Sequence, residues 1–235
     1  MRSADRGGDR GDASGCFVLA VIFDLDGVIV DSEPAWERIR RQVVAENGGR
    51  WLADTQKRLM GMSTPEWASY LSEDLGVGLA PDAIAAMVIE RMSADYREEV
   101  PLMPGAAEAV RRMAECWPLG LASSSPPELI DAALEGAGLE GMFATTLSTE
   151  QVGRGKPAPD VYQAAADRLG FLPERCAAVE DSANGLRSAA AAGLQVIAVP
   201  HPRYPPDPAA LEAAELVLTG LSELTVDAVC ELAAE

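Results

Sequence analysis

The chain reads as an α/β protein, a Rossmann-like doubly wound parallel sheet with an inserted α-helical cap. Three observations carry that reading. Short β-prone apolar runs alternate with helical patterns from residue 101 to residue 218, the rhythm of parallel strands joined by right-handed crossovers. A single apolar run at residues 17–23 stands apart from them, ahead of the wholly helical stretch 31–101. Four polar stations each follow an apolar run: Asp24-Leu25-Asp26-Gly27, Ser123-Ser124-Ser125, Gly155-Lys156-Pro157 and Glu180-Asp181. In an open parallel sheet the carboxyl ends of the strands share one edge, where ligands bind. Stations far apart in sequence therefore converge there.

Residues 1–15, rich in Gly, Asp, Arg and Ser, read as a disordered tail. Residues 17–23 form a fully buried first strand, bounded by that tail and by an Asp/Gly turn. From Glu33 onward Trp36, Ile39, Val43 and Val44 recur near a 3.6-residue period, and Gly48-Gly49 ends the helix. Thr64-Pro65-Glu66 supplies an N-cap, a proline at N1 and an early acid for a helix reaching Leu75. Residues 81–99 make a long amphipathic helix carrying Ile84, Met87, Val88, Arg91 and Met92. The expected division is a core of 16–30 and 102–235 with a helical cap, or lid, of 31–101. In the core, helices at 104–116, 126–137, 158–169 and 183–192 alternate with strands at 119–122, 143–147, 177–179 and 196–199. One more strand is expected at 216–218, and the Pro-rich stretch 201–208 reads as a surface loop.

With 235 residues, 48% of them hydrophobic, the chain can bury roughly 70–75% of its unfolded surface. Its net charge of −18 and isoelectric point near 4.4 exclude a general nucleic-acid binder and a surface drawn to anionic lipid. The same charge repels a phosphorylated substrate, so positive charge must be supplied locally. Of the 19 basic residues only Lys57 and Lys156 are lysines, and Lys156 sits between Gly155 and Pro157. A compact point charge is wanted there rather than a guanidinium fork. Cys16, Cys116, Cys176 and Cys230 form no CxxC pair, so a reduced, cytoplasmic chain without a disulfide framework is expected. His201 is the only histidine, which excludes a multi-His zinc site and most Ser-His-Asp arrangements. Residues 17–23 are too short to span a bilayer, and Asp24 and Asp26 stand where a signal peptide would be cleaved.

Each station has a structural reading beside a chemical one. Asp and Gly favour turns, and Ser or Asp at a helix start serves as an N-cap. Yet two carboxylates at the end of a buried strand need a cation, since burying an unpaired charge is costly. An aspartate nucleophile and an aspartate acid/base around a Mg²⁺ ion would satisfy both. Hydroxyls and backbone N–H groups at the helix start after Ser123 can cradle a phosphate. Pro157 and the upstream glycine spacing exclude a Walker loop at Lys156.

In order and character these stations resemble the four motifs of the haloacid-dehalogenase-like (HAD) phosphohydrolases, over residues 17–224. Phe23-Asp24-Leu25-Asp26-Gly27-Val28 and Gly155-Lys156-Pro157-Ala158-Pro159-Asp160 are the specific ones. Asp31-Ser32-Glu33-Pro34 with Trp36, and Val199-Pro200, resemble that family's bacterial sugar-phosphate phosphatases, the 2-deoxyglucose-6-phosphate phosphatase type. The resemblance implies Asp24 as nucleophile and Asp26 as acid/base, with Ser123, Ser124 and Lys156 on the phosphoryl group. It implies Mg²⁺ held by the Asp24 carboxylate, the Asp26 main-chain carbonyl, Asp181 and Glu180. Glu33, Trp36, Met60, Met62 and Ser63 are the candidate sugar contacts in the cap. The implied activity is Mg²⁺-dependent hydrolysis of a small phosphomonoester, a hexose or deoxyhexose phosphate, by a monomer partnered with neither nucleic acid nor membrane.

Alternatives on the same scaffold are weighed by residues. Phosphomutases of the β-phosphoglucomutase kind have a His at the place of Trp36 and a phosphate-binding Arg near Thr64, and both are missing here. A dehalogenase does not need Asp26, and a phosphonatase needs a lid lysine for which only Lys57 is available. A non-catalytic sugar-phosphate-binding module would be expected to have lost the nucleophile or a metal acid, and this chain has kept them all.

Overall fold

The computed structural model describes residues 15–59 and 62–232. The expected tail, apart from its last residue, and Met60 lie outside the described residues. Six parallel strands form one sheet in the order β3-β2-β1-β4-β5-β6. They are β1 (Ala20–Phe23), β2 (Leu119–Ser123), β3 (Phe143–Ser148), β4 (Cys176–Glu180), β5 (Gln195–Ala198) and β6 (Leu216–Val217). The strand order reverses at β1, so the sites following β1, β2 and β4 meet at the switch point.

Alternation along β1 explains the doubly wound layering. Val21 and Phe23 pack on one face with Leu121, Val179 and Ile197, beneath α5 (Ala106–Ala114) and α6 (Pro127–Gly136). Ala20 and Ile22 face the other way, against α7 (Asp160–Leu169) and α8 (Ala183–Ala192). All four β1 residues are buried, which is why the run shows no polar alternation. The strand is shorter than the apolar run that predicts it. Its approach is held instead by Arg175, whose Nε donates to the Phe17 carbonyl at 2.6 Å and whose carbonyl accepts from Leu19 N at 2.7 Å.

Between β1 and α5 lie α1 (Glu33–Glu46), α2 (Thr55–Leu59), α3 (Thr64–Glu73) and α4 (Pro81–Glu98). The two chain crossings into this insert are zipped together. Asp31 N donates to the Pro101 carbonyl at 2.7 Å, Met103 N to the Ile29 carbonyl at 2.9 Å, and Val30 bridges Leu102. At Gly136 a side chain would overlap the Tyr96 carbonyl, so glycine lets α4 settle on α6. The helix expected to start with Thr64 as cap is capped one residue earlier. Glu66 accepts from the Ser63 N–H at 2.8 Å and from its hydroxyl at 2.6 Å, a capping-box contact.

The cysteine reading is corrected. Cys16, ahead of β1, and Cys230, at the end of α10 (Val226–Cys230), are disulfide-bonded with their Cα atoms 4.8 Å apart. A separation of 214 residues hides that both ends of the fold meet at one place. The short helix α9 (Pro208–Leu211) follows the Pro-rich loop and is capped by the Asp207 side chain.

Candidate active site

Three of the stations sit at the carboxyl ends of their strands, and Lys156 reaches in from the segment after the turn that follows β3. Asp24 follows β1, Ser123 ends β2, Lys156 lies beyond β3, and Glu180 ends β4 with Asp181 next to it. The Lys156 ammonium, almost wholly buried, joins three of the strands. It donates to Asp24 Oδ1 at 2.7 Å, Glu180 Oε1 at 2.6 Å and the Ala122 carbonyl at 3.0 Å. Tyr162 of α7 completes the cage: its hydroxyl donates to Glu180 Oε1 at 2.8 Å, and its ring centroid lies 4.9 Å from Nζ.

Glu180 is fully engaged. Its Oε2 accepts from the backbone N–H groups of Asp181 and Ser182, and from the Ser182 hydroxyl at 3.1 Å. A side chain at Gly185 would overlap this carboxylate, so the first turn of α8 must carry glycine for the acid to fold over it. Gly27 does the same for Asp181. It adopts φ +81°, in the left-handed region, and a Cβ there would overlap the Asp181 carboxyl. The glycine of the first motif thus serves the fourth.

Oxygens of Asp24, Glu180 and Asp181 lie within 4.8 Å of one another, and Asp181 Oδ1 is buried without a hydrogen-bond partner. Burial pushes the Asp24 carboxyl up to about 8 against the pull of Lys156, with Glu180 and Asp26 adding to the rise. Burial, then Glu180 and Asp24, likewise raises Asp181 well above the usual carboxylate range. Burial opposes the charge on Lys156, but Asp24 and Glu180 outweigh it and leave the ammonium held more tightly than usual. Three crowded carboxylates facing one ammonium are short of positive charge. Their hard oxygen donors and the orphaned Asp181 oxygen fit Mg²⁺, with Asp24 and Asp181 the freer ligands.

Asp26 points away from this cluster toward the β2 end. Its Oδ2 accepts from the Ser125 hydroxyl at 2.7 Å and the Ser123 hydroxyl at 3.3 Å, and its Oδ1 is buried without a partner. Ser123 also accepts from Ser125 N at 3.0 Å, whereas Ser124 is exposed. The sequence reading does not single out Ser125 or Tyr162. In a run of three serines nothing distinguishes the one whose hydroxyl turns inward, but Tyr162 follows Lys156 by six residues and sits on the buried face of a periodic helix. Of the cap candidates, Glu33 accepts from Gln56 Nε2 at 2.7 Å, and burial raises its pKa. Trp36 is buried against Trp67 with ring centroids 6.1 Å apart, Met62 is partly buried against the core, and Ser63 is occupied in capping α3.

Acids, a buried lysine and serines are gathered at the switch point of a parallel sheet, beneath a helical insert. The chain belongs to the haloacid dehalogenase-like hydrolases, whose family model matches residues 18–193. It is 36% identical over 214 residues to hexitol phosphatase B of Escherichia coli (strain K12), covering 88% of this chain and 95% of that one. It is 32% identical over 179 residues to a phosphorylated carbohydrates phosphatase of Thermotoga maritima, covering 76% and 83%. The crystal structure of CbbY from Rhodobacter sphaeroides in complex with phosphate superposes with a TM-score of 0.82 at 27% identity, covering 92% of this chain and all of that one.

Proposed function

We propose that the protein is a Mg²⁺-dependent phosphatase that hydrolyses a hexose, deoxyhexose or hexitol phosphate through an aspartyl-phosphate. The observation that carries this reading is the Lys156 cage, which aims one buried ammonium at the candidate nucleophile and leaves the neighbouring acids wanting a cation. Asp24 attacks phosphorus in line, and the bond to the sugar oxygen breaks. Asp26 hands its proton to that oxygen, then takes one from the water that attacks the phosphorus of the aspartyl-phosphate, releasing inorganic phosphate and free Asp24. The Ser123 and Ser125 hydroxyls orient Asp26. Lys156 neutralises phosphoryl oxygens as charge builds on them, and Glu180 with Tyr162 keeps it in place. Bound between Asp24 and Asp181, Mg²⁺ would shield the repulsion between nucleophile and phosphate.

Helices α1–α4 act as the lid, with Glu33 as the cap residue that meets the sugar, while Trp36, Met62 and Ser63 serve the packing and capping of the lid. Residues 31–101 form that lid, the rest of the described chain the catalytic core, and the enzyme works as a monomer. Among the described residues no helix is long and apolar enough to cross a membrane. The Cys16–Cys230 bond removes the cysteine-based ground for a cytoplasmic location. A panel of sugar phosphates assayed with and without Mg²⁺ tests the function, and Asp24→Asn is expected to abolish turnover while the fold survives. Sustained conversion of β-glucose 1-phosphate to glucose 6-phosphate, primed by a trace of bisphosphate and without matching phosphate release, would establish a phosphomutase instead.

A further inference from the structure

The helical insert buries Arg40 of α1 to 5% exposure, and Arg40 is the only arginine so buried among the described residues. Its guanidinium carbon lies 4.4 Å from the Trp36 ring centroid and 4.8 Å from that of Trp67. With those centroids only 6.1 Å apart, the two indoles sit side by side against the guanidinium rather than sandwiching it, and its N–H donors remain to be satisfied. They are not satisfied from within: Nε is buried without a partner, and among the described residues Arg40 forms no ion pair. Cation–π contact stabilises the charge but leaves a buried charged donor unmatched.

The surroundings are in the same condition. Glu33, Trp36 and Arg40 follow an i, i+3, i+7 spacing and share one face of α1. Gln56, which donates to Glu33, keeps its own Oε1 buried without a partner, and the Tyr96 hydroxyl of α4, within electrostatic reach of Asp26 and Glu33, is likewise buried and unpaired. Glu33 and Asp26 are the charges that act on Arg40, opposing the desolvation that lowers its pKa to about 10. Donors and acceptors left open in one buried region beside Asp26 describe a polar ligand that the chain does not supply.

Building on the phosphatase reading, we propose that Arg40 is the specificity-determining residue of the cap. Packed against Trp36 and Trp67, it grips the hydroxyls of a neutral polyhydroxy leaving group together with Glu33, and so selects hexose and hexitol phosphates. The charge balance argues for neutral hydroxyls over a second phosphate. Glu33 already offsets the one guanidinium, so in a chain of net charge −18 a further dianion would meet no net positive field.

The test compares kcat/KM for a hexitol phosphate, a hexose phosphate, a sugar bisphosphate and p-nitrophenyl phosphate in wild type, Arg40→Met and Arg40→Lys. Each lost hydrogen bond to the charged donor lowers the sugar-phosphate to p-nitrophenyl phosphate ratio by roughly 10- to 150-fold. Arg40→Lys keeps the charge but neither the planar fork nor its stacking on the indoles, so about a tenfold fall is expected even if Arg40→Met fails to fold. An unchanged ratio in the lysine variant, or a wild-type preference for the bisphosphate, overturns the proposal. Independently of turnover, tryptophan fluorescence of Asp24→Asn titrated with hexitol phosphate and with inorganic phosphate reads the same contact. Adding Arg40→Lys should weaken hexitol phosphate by roughly tenfold relative to inorganic phosphate. Wild type inactive on every phosphomonoester defeats the phosphatase reading, and the titration still decides whether Arg40 grips the polyol.

Discussion

Lys156→Met isolates the electrostatic linchpin of the site. The substitution keeps most of the stem's volume and removes an ammonium that contacts Asp24 at 2.7 Å, Glu180 at 2.6 Å and the Ala122 carbonyl at 3.0 Å. The side chains of this triad are 5%, 8% and 0% exposed, so water cannot take the ammonium's place without opening the sheet edge. Removing one partner of a buried ion pair costs about 3–5 kcal/mol, because the remaining charge is left uncompensated. In a chain of this size that corresponds to a fall in Tm of roughly 6–20 °C. Differential scanning calorimetry in EDTA measures it directly. Because the loss is one of positive charge, millimolar Mg²⁺ should restore more stability to Lys156→Met than to wild type. A fall of under about 2 °C in EDTA would refute the reasoning, since the carboxylates would then not depend on Lys156.

Three further outcomes follow from the same geometry. A carboxylate whose folded pKa is raised, as for Asp24 at about 8, stabilises the metal-free fold fully below its unfolded value near 4, and that contribution is lost as pH rises through 8. Tm in EDTA should therefore fall as pH rises from about 4 to about 8, and Mg²⁺ should recover most at the alkaline end; a flat profile across that range argues against the shift. Gly27→Ala forces a Cβ into the Asp181 carboxyl from a backbone at φ +81°, and misplacing that acid should lower kcat/KM about 100-fold, with weaker Mg²⁺ dependence of rate as the diagnostic. Tyr162→Phe removes the hydroxyl that donates to Glu180 inside the cage and should destabilise the fold by about 1–3 kcal/mol in urea unfolding, with kcat reduced more than KM altered.

What the sequence disclosed, and what it withheld, follows from how locally each feature is encoded. Asp24, Glu180 and Asp181 were legible because they interrupt apolar runs at strand ends that parallel topology brings together, and Lys156 because it is one of two lysines and stands between Gly155 and Pro157. The doubly wound core was legible through helix-length patterns alternating with β-prone runs. Details that depend on a side chain's direction were not. Ser125 rather than Ser124 turns toward Asp26, and Ser63 rather than Thr64 caps α3. Nothing local marks the five-residue helix α2, too short to show a period, yet it brings Gln56 to Glu33. Arg40 reads as one more charge on a helix until it is seen buried against Trp36 and Trp67. The meeting of Cys16 with Cys230 is a property of the finished fold and leaves no local trace.

The account rests on Asp24 becoming covalently phosphorylated. Acid quenching during turnover of a hexose or hexitol phosphate, followed by peptide mass spectrometry, looks for that species. A phosphoryl group on the Asp24 peptide, accumulating with Mg²⁺ and absent in Asp24→Asn, is the result predicted. Steady turnover with no label there, or with the label on another residue, would contradict it.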